Sequence, residues 1–375
     1  MKIIVLGPAH PYRGGIAAFD ERLARQFMAE GHDVEVYTFT LQYPNFLFPG
    51  KTQYTSEPNA PKDLKISRRI NSCNPLNWIS VGKEISKKNA DILAIAFWLP
   101  FMAPCFGTIS RLARKNGKTK VVGVLHNLIP HEPRIFDKTF ARYFCSSIDG
   151  FIALSKSVLE DINKFEAKKP KLFSPHPLYD HFGEKVSKDE ACQRLNLDPN
   201  KKYLLFFGLI RDYKGLDWLL EAFANSGISD KGYRLIIAGE FYSHREKYIS
   251  LAESLHIINN IEWRTEFVPD EEVKFYFGVA DLIVQPYKSA TQSGVTQIAY
   301  HFEKPMLVTK VGGLPEIVPD GKAGYVVEPN PEAIASALSD FCENARDFSE
   351  GVRDEKKKYS WHIMCQAIFK LWETK

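Results

Sequence analysis

The chain has 375 residues, 45% of them apolar and 25% charged, with a net charge of +4. That is an ordinary globular composition for about two domains, and it excludes a disordered, collagen-like or disulfide-framed chain. The six cysteines (Cys73, Cys105, Cys145, Cys192, Cys342, Cys365) include no pair at C-x-x-C spacing, which argues against a zinc ribbon or thioredoxin-type site and fits reduced thiols in a cytosol.

Residues 3–6 read as a short buried strand, followed by a Gly, Pro and His loop over 7–15. Ile16, Phe19, Leu23 and Phe27 then recur at helical spacing, Gly31 is a natural stop, and Val34 and Val36 open a second strand. Strand, glycine loop, helix, strand is the start of a doubly wound nucleotide-binding-type domain. Further strands are expected at 91–97, 121–125 and 149–154, with a basic-ended helix over 101–115 and Ser155 capping a helix through Val158, Leu159 and Ile162. The Lys-, Pro- and His-rich stretch 168–200 reads as the crossing between domains. A second series has strands at 203–207, 234–238, 261–263, 282–285, 306–309 and 324–327. Helices at 215–224, 245–255, 270–277 and 294–302 separate them, and 331–375 reads as helical throughout. Mostly apolar strands between helices imply parallel sheets covered on both faces. The expected fold is α/β, with two Rossmann-like parallel-sheet domains at 1–175 and 176–355. A terminal helix at 356–375 is expected to pack back on the first domain.

The charge is uneven. Residues 1–180 hold 25 Lys and Arg against 16 Asp and Glu. A basic half suits an anionic lipid surface or a phosphorylated substrate as well as a plain solvated face. The longest apolar stretch, 92–106, is broken by Pro100 and Pro104 and falls short of the ~20 residues of a spanning helix. Aromatic clusters at Tyr43, Phe46 and Phe48 and at Phe97, Trp98, Phe101 and Phe106, near Arg111, Arg114 and Lys115, read either as a membrane-facing surface or as core.

Parallel sheets carry their functional loops at the carboxyl ends of the strands. There, Arg13-Gly14-Gly15 stands before a helix, where paired glycines either bring N–H groups to an anion or make a tight turn. His126-Asn127, with His131-Glu132 beyond, offers a hydrogen bond to a sugar hydroxyl or proton transfer, or else a capping histidine. In the run from Phe206 to Gly215, Arg211 and Lys214 follow Gly208 and precede a helix, the arrangement for clamping a diphosphate. Ser289, Thr291, Gln292, Ser293 and Gly294 suit phosphate or ribose oxygens, as do Gly312-Gly313 with Glu316, although both runs also read as turns and caps.

The order F-F-G-x-x-R-x-x-K-G, R-L-I-I-A-G, A-D-L-I-V-Q-P, K-P-M-L-V-T-x-V-G-G-L-P-E-I-V and G-Y-V-V resembles family 4 glycosyltransferases of bacterial glycan biosynthesis. The resemblance implies the GT-B fold, two Rossmann-like domains facing across a cleft. It implies a retaining, metal-independent hexosyltransferase with a UDP- or GDP-linked sugar as donor and no other cofactor. Arg211 and Lys214 would hold the diphosphate, with Gly208 before them. Gly14 and Gly15 would approach the donor phosphates, and His126 would lie beside the transferring sugar. Glu240 and Val268 would hold the base, and Gln292, Ser293, Gly294, Gly312, Gly313 and Glu316 would complete the donor site. Asn127, His131 and Glu132 would lie on the acceptor side.

One departure is visible. The family's paired glutamates fall at Ala290 and Ile298, so Gln292 or Thr291 is expected to supply neutral hydrogen bonds instead. No Asp-x-Asp occurs, in keeping with the expected metal independence. The expected partners are a nucleotide sugar and a glycan or lipid-linked acceptor in cell-surface polysaccharide or glycolipid synthesis, with no nucleic acid. The expected location is the cytoplasm, with peripheral contact to the inner membrane face through the basic first domain. The competing readings are a non-catalytic nucleotide-sugar-binding protein and a sugar-nucleotide epimerase on the same fold.

Overall fold

The computed structural model describes residues 1–44, 52–55, 59–130, 135–242, 244–290, 293–344 and 346–374. The chain divides into two compact units, one of Met1–His176 with Trp361–Lys375 and one of Pro177–Ser360.

The first unit runs β1 (Lys2–Leu6), α1 (Gly15–Ala29), β2 (Asp33–Leu41), β3 (Ile66–Asn71), α2 (Pro75–Lys88), β4 (Ile92–Phe97) and α3 (Ala103–Ala113). It continues through β5 (Lys120–Leu125), α4 (Asp137–Cys145), β6 (Gly150–Ala153), α5 (Lys156–Phe165) and β7 (Lys171–Phe173). The strands form one sheet in the order β3-β2-β1-β4-β5-β6-β7, paired in parallel. Central β4 is buried at all six positions, as a sheet covered on both faces requires. On α1, Phe19, Leu23, Ala24 and Phe27 are buried. The edge strand β3 buries only Ile70 and carries two exposed arginines.

The second unit runs α6 (Lys188–Leu195), β8 (Lys202–Phe207), α7 (Leu216–Asn225), β9 (Tyr233–Ala238), α8 (Arg245–Ser254), β10 (Ile261–Arg264) and α9 (Asp270–Val279). It continues through β11 (Leu282–Gln285), α10 (Gly294–His301), β12 (Met306–Thr309), α11 (Leu314–Ile317), β13 (Gly324–Val327), α12 (Pro331–Asn344) and α13 (Ser349–Lys357). Its sheet order is β10-β9-β8-β11-β12-β13, again parallel. The last helix, α14 (Trp361–Glu373), belongs to the first unit. Its Trp361, Met364, Cys365, Ile368 and Leu371 share a core with Phe19, Leu23 and Phe27 of α1.

Several expectations change. The stretch 168–200 holds β7 and α6 as well as the crossing, and the units divide between His176 and Pro177, one residue from the expected boundary. The helix α6 is set by Ser187, whose Oγ accepts from the Glu190 N–H at 3.2 Å, and by Asn196 in the left-handed region. The tail is three separate helices. Of the aromatic cluster at 97–106, Phe97 and Phe106 are fully buried, because they lie on β4 and the inner face of α3. Trp98 and Phe101 are half-buried against the same core. Trp98 donates to the Tyr43 hydroxyl at 2.5 Å. Arg111 is spent on the Gly107 and Tyr143 carbonyls, and Arg114 pairs with Asp149 at 2.8 Å. Phe46 and Phe48 lie outside the described residues. Among the described residues no helix is long and apolar enough to cross a membrane.

Candidate functional site

In the second unit β8 and β11 are neighbours at the point where chain order reverses along the sheet. Loops leaving two such strands diverge and open a crevice for ligands. The loop after β8 starts at Gly208, with φ 98°. Gly239, at φ 134°, packs so close that a Cβ there would stand 2.4 Å from the Gly208 carbonyl oxygen. Asp212–Lys214 form one 3-10 turn, closed by Gly215 at φ 70°. The loop after β11 is tied to this one. The Lys288 N–H donates to the Tyr213 carbonyl at 2.7 Å, and Lys288 Nζ meets Asp217 at 2.6 Å.

Arg211 is exposed and Lys214 half-buried. Among the described residues neither has a carboxylate within ion-pair distance. Burial and the adjacent Arg211 charge pull the Lys214 ammonium down to about 8. Two unneutralised cations at the carboxyl edge of a parallel sheet have the charge and placement that suit a polyanion.

The other expected donor residues are placed as follows. Glu240 is half-buried after Gly239, and its carbonyl accepts from the Ile210 N–H at 2.8 Å. Val268 is half-buried against the core of this unit. Ser293 caps α10 by accepting from the Val295 N–H at 3.2 Å, and its Oγ lies 3.2 Å from the Tyr287 hydroxyl. Gly294 opens α10, where a Cβ would stand 3.0 Å from the Tyr179 ring. Gly312 and Gly313 follow β12, and Glu316 is exposed on α11. So Arg211, Lys214, Glu240, Ser293, Gly294, Gly312 and Gly313 all fall at the carboxyl edge of one sheet. Thr291 and Gln292 lie outside the described residues. Ala290 packs against the core and Ile298 is buried in it, so the two positions read as the glutamate pair are apolar packing positions.

In the first unit the His126 N–H donates to the Phe97 carbonyl at 2.8 Å, which fixes it at the ends of β4 and β5. Its ring lies 4.8 Å from Phe19 and 6.0 Å from His176. Burial, then His176, pulls its pKa down to about 3. The imidazole is therefore neutral at pH 7, and its Nε2 is buried with no partner among the described residues. A neutral imidazole with an unused nitrogen suits a hydroxyl partner. Asn127 is exposed, and His131 and Glu132 lie outside the described residues. Gly14, at φ 115°, precedes α1, and a Cβ there would meet nothing within 4 Å. Gly15 is the first residue of α1. Arg13 is tethered through its Nε to the Thr52 carbonyl at 3.1 Å.

Two family models match this chain, Glycosyltransferase Family 4 over residues 13–173 and Glycosyl transferases group 1 over residues 187–359. The chain is a family 4 glycosyltransferase of the GT-B fold. An uncharacterized glycosyltransferase of Methanocaldococcus jannaschii is 23% identical over 100% of this chain and 98% of its own. Sucrose-phosphate synthase from Thermosynechococcus elongatus is similar in structure, with a TM-score of 0.72 at 16% identity over 99% of this chain and 98% of that one. Anabaena HepE in complex with UDP gives 0.70 at 15% identity over 99% of both chains. Both structural likenesses are of fold.

The transferase also carries a buried acid that lies in none of the sequence motifs. Asp20 sits at the inward spacing of α1, one place after Phe19 and three before Leu23, so the signal was in the periodicity. It is 1% exposed, and neither carboxyl oxygen has a partner among the described residues. A Cβ on Gly7 would stand 2.0 Å from its Oδ2. Burial, then Glu21, raises its pKa well above the ordinary 3.8. The folded chain then holds a proton that the unfolded chain releases. The stability this contributes is full below pH 3.8 and lost as pH rises through the folded value. Asp20→Asn keeps the shape without the charge. It is expected to be more stable than the wild type at pH 8, with the gap closing near pH 4. Urea melts across that range check this, and a pH-independent gap would refute it.

Proposed function

We propose that the transferase moves a sugar from a nucleoside diphosphate sugar to an acceptor hydroxyl, with retention and without a metal ion. Arg211 and Lys214 hold the donor diphosphate and stabilise the charge that builds on it as it leaves. The observation that carries the reading is the pair of cations at the β8–β11 reversal with no carboxylate among the described residues to neutralise them. A uridine nucleotide is the first candidate, since the similarly folded HepE is described in complex with UDP. In a front-face retaining step the acceptor hydroxyl attacks on the side the diphosphate leaves, and its proton passes to a phosphate oxygen. His126 is read as a hydrogen-bond partner for a hydroxyl of the transferred sugar, and Gly14 and Gly15 as donors to an anion at the start of α1. The first unit is read as the acceptor side, for a glycan or lipid-linked hydroxyl.

The apolar residues at 290 and 298 favour a second reading, donor binding without transfer. One experiment separates the two. UDP, GDP and their sugar conjugates are screened by thermal shift, and the conjugate that binds is then assayed for turnover with glycan and lipid-linked acceptors. A ligand at 100 times its Kd should stabilise by about 2.7 kcal/mol. Selective stabilisation with turnover supports the transferase reading. Stabilisation without turnover supports the second. No response to any nucleoside diphosphate overturns both.

A further inference from the structure

Resting on that reading of Arg211 and Lys214, we infer that Tyr242 and Tyr287 are positioning residues, each seating one donor-binding cation on its ring face so that the cation is fixed in place but not neutralised. Four observations support this. The Arg211 guanidinium lies 5.1 Å from the Tyr242 ring centroid, and Lys214 Nζ lies 5.6 Å from that of Tyr287. A ring quadrupole orients a cation yet leaves its charge available to a phosphate, whereas a carboxylate would compete with the phosphate directly.

The rings are themselves held. The Tyr242 N–H donates to the Ile210 carbonyl at 2.8 Å, so the backbone that carries the ring is tied to the residue before Arg211. Tyr287 is fully enclosed. Its hydroxyl lies 3.2 Å from Ser293 Oγ, its carbonyl accepts from Thr309 Oγ1 at 2.5 Å, and Tyr213 packs edge-on at 6.2 Å.

The carboxylates of these loops are drawn elsewhere. Asp212, between the two cations in sequence, accepts from the Tyr248 hydroxyl at 2.8 Å and pairs with Lys247 at 3.5 Å. Asp217 is taken by Lys288 at 2.6 Å. Lys288 is thus the structural cation of the group, and Arg211 and Lys214 are the available ones. Finally, Tyr242 remains 59% exposed, an arrangement that core packing does not explain but a seat beside an exposed guanidinium does.

A double-mutant cycle read by calorimetric titration with UDP tests this. Tyr242→Leu is expected to weaken UDP about 2–5-fold, the factor for an exposed cation–π contact of about 0.5–1 kcal/mol. Tyr242→Phe, which keeps the ring, should bind as the wild type does. In an Arg211→Ala background Tyr242→Leu should change nothing, because the residue acts only through the guanidinium. If Tyr242→Leu has no effect, or the same effect with and without Arg211, the inference falls while the donor reading stands. If Arg211→Ala and Lys214→Ala both leave UDP binding intact, the donor reading falls and the inference with it. For the buried ring the comparison is Tyr287→Phe against Tyr287→Leu, with thermal melts to confirm folding. Should Tyr287→Leu not fold, the exposed Tyr242 cycle decides the matter.

Discussion

Replacing Lys214 by alanine is expected to lower kcat by about 10²–10³, the usual cost of deleting one fixed donor to a developing anion. The effect should fall on kcat more than on KM, since charge on the diphosphate is greatest as the sugar departs. The same lysine predicts a pH signature. In the free protein its ammonium loses its proton near pH 8. A bound diphosphate favours the charged form, so UDP binding takes up a proton at higher pH and weakens as pH rises through about 8. Lys214→Arg keeps its charge across that range and should flatten the slope. Steady-state kinetics and UDP titrations between pH 6.5 and 9.5 would check this. An unchanged kcat in Lys214→Ala would remove the lysine from the mechanism.

Gly215→Ala is the second large effect. At φ 70° any side chain is strained, and a Cβ here would stand 2.0 Å from the Pro286 carbonyl oxygen. Backbone cannot swing away as a side chain can, so the loops after β8 and β11 must separate. A loss of more than about 3 kcal/mol is expected, in the range of severe packing defects. Gly227→Ala is the control. Its φ is 63°, yet a Cβ there would meet nothing within 4 Å, leaving only the left-handed strain of about 1–2 kcal/mol. Chemical denaturation of the two variants compares them directly. Equal stability would mean that the close approach of the loops contributes nothing.

The strands of the second unit were legible because most are built on contiguous apolar runs, and β11, β12 and β13 begin and end where the pattern does. In the first unit β3 escaped notice because an edge strand is solvated on most of its length. Its sequence ISRRIN has no apolar run to detect. The helix α2 escaped because Leu76 and Ile79 face outward, blurring the stripe that marks a helix. The cations of the loop after β8 were legible from their place between a strand and a helix. The tyrosine rings beside them were not, since Tyr242 and Tyr287 reach Arg211 and Lys214 from loops after separate strands, and no local spacing records that approach. The replacement of the glutamate pair was legible in identity but not in environment. Only the structure shows Ile298 buried in the core.

The placement of α14 has a consequence for how the protein is made. Residues 1–176 leave the ribosome with Phe19, Leu23 and Phe27 facing a slot that Trp361, Met364 and Ile368 will fill. That slot stays open while the whole second unit is synthesised. The second unit has both its ends inside the chain and can mature as soon as it emerges. The nascent first unit must meanwhile wait with the apolar face of α1 uncovered by α14. Of the two units, the one translated earlier is thus completed later.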